Sequence, residues 1–444
     1  MTRSILLGAV ASGLMMLAPV LAQAASPEAT RAAIQGELDK DYPALDALYL
    51  DLHRHPELAF QETRTAALLA QKMRALGFTV TEKVGGTGLV AIYRNGPGPV
   101  VLVRTELDGL PMEEKTGLPY ASRDQQQSDG KTSFVTHSCG HDNHMAWWIG
   151  SAEALVALRG QWSGTLMFIA QPAEETGKGA EAMLKDGLFT RFPKPDYGFA
   201  AHVNSAPSGT VEVKDGAVTS NSDAINITFV GRGAHGSIPS ASIDPIVMGA
   251  HFVNDVQTVI SRQKEAASFG VITVGSFQAG TVGNIIPDQA LLKLTIRSYT
   301  PQVRQGLLDG VTRTANAAAL MAMAPPPVIQ HLGSLTAVTN DHALTERTFQ
   351  ALNAAYGDRI HFAPATAPGW SASEDYSDYI LAGVPSVFMM IGGYDQARLD
   401  AYKAKGESVP TNHSPFFAPD HERAIRTGVE ALTTAVMTVT PLAR

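Results

Sequence analysis

Apolar residues at helical spacing open the readable part of the chain. From Ala44 to Gly77 it reads as helix, a short HRHPE break, then helix. The segment TRTAALLAQKMRALGF carries its apolar residues at three-to-four spacing, and Gly77 ends it. Short apolar runs follow, each leading into a loop. VVLVR (Val100–Arg104) precedes TELDG, TLMFIA (Thr165–Ala170) precedes QPAEETGKG, YGFAA (Tyr197–Ala201) precedes His202, and PSVFMMI (Pro385–Ile391) precedes GGY. These runs lack alternation and are separated by helical stretches such as HMAWWIGSAEALVALR. That pattern predicts an α/β fold with a parallel sheet covered on both faces.

The middle of the chain has a different rhythm. DAINITFVG (Asp223–Gly231) alternates like a half-exposed strand. DPIVMGAHFVNDVQTVISR is an amphipathic helix with Asp244 as N-cap and Pro245 in the first turn. SFGVITVGSF and ALLKLTIRSY are two more strands. A second helix, PQVRQGLLDGVTRTANAAALMAM, contains Gly306 and Gly310, and PPVIQHL closes the set. The order β-α-β-β-α-β predicts an α+β ferredoxin-like unit over residues 220–332, inserted into the larger domain. The larger domain occupies 25–219 and 333–444. No repeats or low-complexity tracts interrupt it.

The N-terminus changes the compartment. Arg3, the apolar run ILLGAVASGLMMLAPVLA and the small-x-small pattern at Ala22–Ala24 read as a secretory signal over residues 1–24. The expected product is soluble and exported, most simply to a bacterial periplasm, with no membrane attachment after signal removal. A formal charge of −8 argues against a nucleic-acid partner. One cysteine in 444 residues excludes an intrachain disulfide. A free thiol in an oxidising compartment is a liability, so Cys139 is either buried and inert or bound to something.

Its neighbours favour the second option. HSCGHDNH (His137–His144) places three histidines, an aspartate and the lone thiol in eight residues. In open parallel sheets, sites form beyond the carboxyl ends of strands. Glu106 and Asp108 follow one strand there, Glu174 and Glu175 another, and His202 a third. Cys139 and His141 are two apart, a spacing that faces one way only in a loop or extended segment. Thiolate and imidazole suit zinc, with carboxylate a common third ligand.

Taken together, the segments resemble the metal-dependent amidohydrolases of the M20 peptidase clan. The similar branch contains hippurate hydrolases, auxin-conjugate hydrolases and N-acyl amino acid deacylases. The matching stretches run in order from HRHPELAFQET through RTELDGLP, HSCGHDNH, QPAEETGKGAEAM, GRGAHGSIP, DPI, GNIIP and SEDYSDY to NHSPFF. The resemblance implies a zinc-exopeptidase-like catalytic domain, with the inserted unit as lid and dimerisation domain. It implies two divalent metal ions on Cys139, His141, Glu175, His202 and His413. Zinc comes first; manganese, cobalt or nickel also suit these ligand types. Glu174 matches the general base and Asp108 a supporting carboxylate. His235 matches a histidine that reaches the reacting carbonyl on lid closure or from a partner subunit. Asn284 and Arg297 match contacts to the substrate's carboxylate end. The implied substrate is a small amide with a free carboxylate, and the implied assembly a homodimer. A metallo-exopeptidase is the alternative enzyme, and a non-catalytic periplasmic binding protein the alternative outside catalysis; Glu174 argues against the latter.

The pattern departs from the family at several points. Glu106 stands where an aspartate is usual, and its extra methylene is expected to bring a carboxylate towards the metals or narrow the pocket. SRDQQQSDGKTSFVT before His137 reads as a tolerated surface insertion, with shaping of the pocket rim as the rival. HRHPE reads as structural and distant from the strand ends. Trp147 and Trp148 read as helix packing. GGTG at Gly85–Gly88 lacks the Gly-Lys-Ser/Thr of a phosphate loop.

Overall fold

The computed structural model describes residues 26–442 except Asp129, so the signal-sequence reading at 1–24 lies outside the described residues. The large sheet has eight strands. In spatial order they are Thr79–Val84, Gly88–Asn95, Gly164–Gln171, Val100–Glu106, Tyr197–Pro207, Ser386–Tyr394, Val211–Lys214 and Ile360–Ala363. The central four pair in parallel, as the non-alternating runs predict. Antiparallel pairings flank them on both sides.

The absence of alternation has a direct cause. Strand Val100–Glu106 sends Val101 and Val103 into one core and Leu102 into the other. Leu166, Phe168 and Ala170 likewise face one side while Met167 and Ile169 face the opposite side. A strand buried on both faces has no polar positions left to alternate. The first core is covered by helices Pro27–Arg54, His141–Ala157 and His421–Val439, among others. Trp147 and Trp148 are fully buried in it. A Cβ on Gly428 would stand 2.4 Å from the Trp147 ring, so glycine there lets the two helices close on the indole. GGTG turns between the first two strands, with Gly85 and Gly86 at φ +69° and +105°, a left-handed turn that glycine adopts without strain.

The inserted unit has the predicted element order. Its four antiparallel strands lie in the order Gly270–Ala279, Gln289–Ser298, Asn221–Val230, Val328–Leu335. The fourth runs to Leu335. Helices Pro245–Asp255 and Pro301–Met321 pack on one face through Met248, Phe252, Leu307 and Val311. Asp244 caps the first helix by accepting from the Ile246 amide at 2.9 Å. Gly310 does not break the second helix. It admits Val259, whose Cγ1 would lie 2.4 Å from an added Cβ. The register slips between Ala224 and Ile225, which leaves Leu332 as an extra, bulged residue on the edge strand.

Candidate active site

Three loops and the strand Tyr197–Pro207 converge at the carboxyl edge of the large sheet on one cavity of about 340 Å³. Cys139, Glu174, Glu175, His202 and His413 line it. Cys139 is held by a turn at Gly140, φ +94°, where a Cβ would lie 2.3 Å from Val203. His413 is placed from the far end of the chain. Its amide donates to the Ser138 carbonyl, and Asn412 donates to the carbonyls of Cys139 and Val203 at 2.8 and 3.1 Å.

The two buried histidines are oriented by the main chain. His141 Nδ1 lies 2.7 Å from the Asp108 carbonyl, and His202 Nδ1 lies 2.7 Å from the Val203 carbonyl. A carbonyl only accepts, so each Nδ1 carries the proton and each Nε2 lone pair is free. His202 Nε2 points to Cys139 Sγ at 3.4 Å. His141 Nε2 has no hydrogen-bond partner among the described residues and lies 3.8 Å from Glu174 and 3.9 Å from Glu175. His413 Nε2 lies 3.2 Å from the other oxygen of Glu175. Potential ligand atoms of Cys139, His141 and His202 lie within 4.8 Å of one another, as do those of Cys139, Glu175 and His413.

The charges in the site call for a cation. Burial, then Glu175 and Glu174, pushes the Cys139 thiol well up. Burial, then Glu374 and Glu175, does the same to Glu174. Burial lowers His141 well below its ordinary value and His202 to about 3, so both rings are neutral ligand forms. A buried thiol, several buried carboxylates and two free imidazole nitrogens fit divalent metal ions.

Asp108 holds the Glu174–Glu175 loop. Its carboxylate accepts from the amides of Glu174 and Glu175 at 3.1 and 3.0 Å. Arg297 lines the far side of the cavity and donates to Ser373. His235 and Asn284 do not reach the cavity in this chain. His235 is on a small ladder of Ala234–His235 with Ile285–Ile286, exposed and with Nδ1 accepting from Ser237, and Asn284 directly precedes the second strand of that ladder.

Two expectations need correction, those for Glu106 and for the distance of HRHPE, while the polar insertion is the surface segment expected. Glu106 does not line the cavity; its carboxylate turns back to Arg104 and to His144 Nδ1 at 2.9 Å. The unused basic groups of the buried layer beneath the site attract it more than the open cavity does. The polar insertion forms a hairpin of Gln125–Ser128 with Lys131–Phe134 that packs on the HRHPE segment, where Gln126 accepts from the Leu58 amide at 2.7 Å. It does not line the cavity. HRHPE itself is structural but not distant. The Glu57 carbonyl accepts from Gly109, beside Asp108, at 2.7 Å.

His53, in that segment, bridges two carboxylates, Asp142 at 2.7 Å and Glu114 at 3.2 Å. Burial alone would lower it, but Asp142 and Glu114 outweigh burial and raise it to about 9. A histidine raised in the folded state stabilises fully below its unfolded pKa of ~6.5 and loses that contribution as pH rises through about 9. We expect about 3 kcal/mol to be lost across this window. Urea melts of wild type and His53→Gln should differ most at pH 6 and converge by pH 10; a constant difference would reject the assignment.

Residue-type reasoning missed the layer beneath the cavity. Arg104, fully buried, pairs with Glu106, with Glu374 at 2.7 Å and with Asp375 at 3.1 Å. Glu374 also lines the cavity, and the Trp370 ring lies tilted against that of His202, centroids 4.9 Å apart. The available signal was the arginine ending an apolar run in VVLVR, a buried charge needing partners.

The profile of peptidase family M20/M25/M40 matches residues 102–438, and the chain belongs to that family. It is an amide-bond hydrolase. Hippurate hydrolase of Campylobacter jejuni is 36% identical over 276 residues, covering 61% of this chain and 67% of that one. Thermostable carboxypeptidase 1 of Saccharolobus solfataricus is 32% identical over 376 residues, covering 84% and 89%. A solved Bacillus subtilis structure, described as a dinuclear metal-binding peptidase of family M20, superposes with a TM-score of 0.74. It is 27% identical, and the match covers 90% of this chain and 99% of that one.

Proposed function

We propose that the protein is an exported, dinuclear metal-dependent amidohydrolase that cleaves N-acyl amino acids. The observation that carries this is the pair of proton-free Nε2 atoms, His202's facing Cys139 and His141's facing Glu174 and Glu175, with Arg297 across the same cavity. Cys139, His141, Glu175, His202 and His413 would hold two divalent ions, zinc by preference. When bound, these supply Lewis acidity and lower the pKa of a water towards ~7.

The chain's own residues do the rest. Glu174 takes the proton of the attacking water and hands it to the leaving nitrogen. Its raised pKa, from burial first, suits a group that must hold that proton between the two steps. Asp108 fixes the loop that aims it. Arg297 presents a planar fork to the substrate carboxylate, with Ser373 alongside. His235, with Asn284 beside it, would reach the carbonyl oxygen on lid closure or from a second subunit, and stabilise the oxyanion. Residues 220–332 would serve as that lid and as the surface of a homodimer. The outer strand Gly270–Ala279, with exposed Val271 and Phe277, offers an open sheet edge for pairing. No helix among the described residues is long and apolar enough to cross a membrane; the signal-like N-terminus supports export to the periplasm.

The test is metal analysis joined to a substrate panel. We expect about two ions per chain by the dinuclear reading and faster hydrolysis of N-acyl amino acids than of dipeptides. A chelator should abolish activity and added zinc restore it. Preference for dipeptides would favour the exopeptidase reading, and activity surviving complete metal removal would end both.

A further inference from the structure

A second groove of about 780 Å³ adjoins the metal cavity, and Thr176, Gly177, Ser222 and Leu335 line both. Its position relative to Arg297 follows from sheet register. Ser222 pairs with Arg297 on one neighbouring strand and with Leu335 on the other. Paired residues share a face, and adjacent strands lie ~4.8 Å apart. Arg297 and Leu335 therefore flank Ser222, roughly 10 Å from each other, and the groove opens on the Leu335 side. A substrate whose carboxylate met Arg297 would find space for its acyl group on that side.

The groove's lining mixes polar and apolar residues, and its leucines come from both parts of the chain. Leu184 and Leu381 belong to helices Gly179–Lys185 and Ser377–Leu381 of the catalytic domain. Leu332 and Leu335 belong to the edge strand of the inserted unit. Leu332 and Leu381 are 62% and 66% exposed, large apolar side chains left facing solvent in the same groove. Leu332 is the bulged residue, and a bulge of this kind re-aims a side chain. Glu181 and Asp378 outnumber Lys178 among the charged residues there, which disfavours a second carboxylate. Between the two spaces, Gly177 faces Leu335, and a Cβ added to it would come within 3.0 Å of that side chain.

We propose that this groove is the acyl subsite, and that it selects uncharged apolar acyl chains longer than acetyl. The inference rests on the N-acyl amino acid reading. The test compares kcat/KM for N-acetyl, N-butyryl, N-hexanoyl and N-octanoyl derivatives of one amino acid. Wild type should prefer octanoyl to acetyl at least tenfold, and a Leu332→Asp, Leu381→Asp double variant should lower that ratio at least tenfold. Both substituted side chains are exposed, so the fold tolerates the change. A flat series in wild type, or an unchanged ratio in the double variant, would overturn the proposal. Calorimetry of N-octanoylglycine and N-acetylglycine on Glu174→Gln protein reads the groove without turnover. The octanoyl compound should bind at least tenfold more tightly in the wild-type groove than in the double variant, and equal affinities would overturn the proposal. Failure to hydrolyse any N-acyl amino acid would instead sink the proposed function, leaving the calorimetric result to decide the groove.

Discussion

Glu174→Gln should leave the protein folded and able to bind metal while kcat falls about a thousandfold, within the range for loss of a positioned general acid–base. The amide is nearly isosteric, and it keeps the side chain's hydrogen-bonding reach without the proton shuttle. Glu174 is not needed to complete the ligand set, because Glu175 already stands between His141 and His413. Metal content by mass spectrometry should therefore match wild type. The combination is what matters. Lost metal would make Glu174 a ligand, and retained turnover would remove it from the mechanism.

The largest expected effect on stability is at Arg104. Its guanidinium is buried among Glu106, Glu374 and Asp375 and also donates to Gln171 at 3.0 Å. Burial opposes its charge, but those three carboxylates win and hold its pKa well up. Arg104→Met keeps the length and strands three buried acids without a cation. Breaking a buried pair in this way costs about 3–5 kcal/mol, a large share of the 5–15 kcal/mol typical of a folded domain. A shift of the urea midpoint worth less than about 1 kcal/mol would contradict this account. The deficit has a direction in pH. Burial already holds Asp375 well above its ordinary value, and loss of the neighbouring cation raises it further, so the variant's stability is recovered below about pH 4 and lost as pH rises. Adding Glu106→Gln should restore part of the loss.

The sequence made some of these features legible and hid others, for physical reasons. Cys139, His141 and Glu174–Glu175 announce themselves because loops after buried strands have few reasons to carry such groups. The core strands show in VVLVR and TLMFIA because burial on both faces leaves no polar position. The hairpin of Thr79–Val84 and Gly88–Asn95 was not read, since TVTEKV is an edge strand with exposed and half-buried positions. The Arg104 layer was hidden for another reason. Glu374 lies 270 positions from Arg104, and no local pattern encodes their contact. Glu106 misled because position in the chain fixed its strand end but not the direction of its side chain. His235 lies on the short ladder with Ile285–Ile286, and Asn284 directly precedes its second strand, accepting from the Gly236 amide. Their relation to the cavity depends on how the inserted unit is placed.

The carbonyls of Asp108 and Val203 that fix the two imidazole rings have one more consequence. Both sockets are set by backbone, which no side-chain exchange elsewhere deletes. The frame therefore dictates where a cation sits while discriminating little between first-row elements. Where that frame holds a cation, supply during growth would weigh in which element fills it.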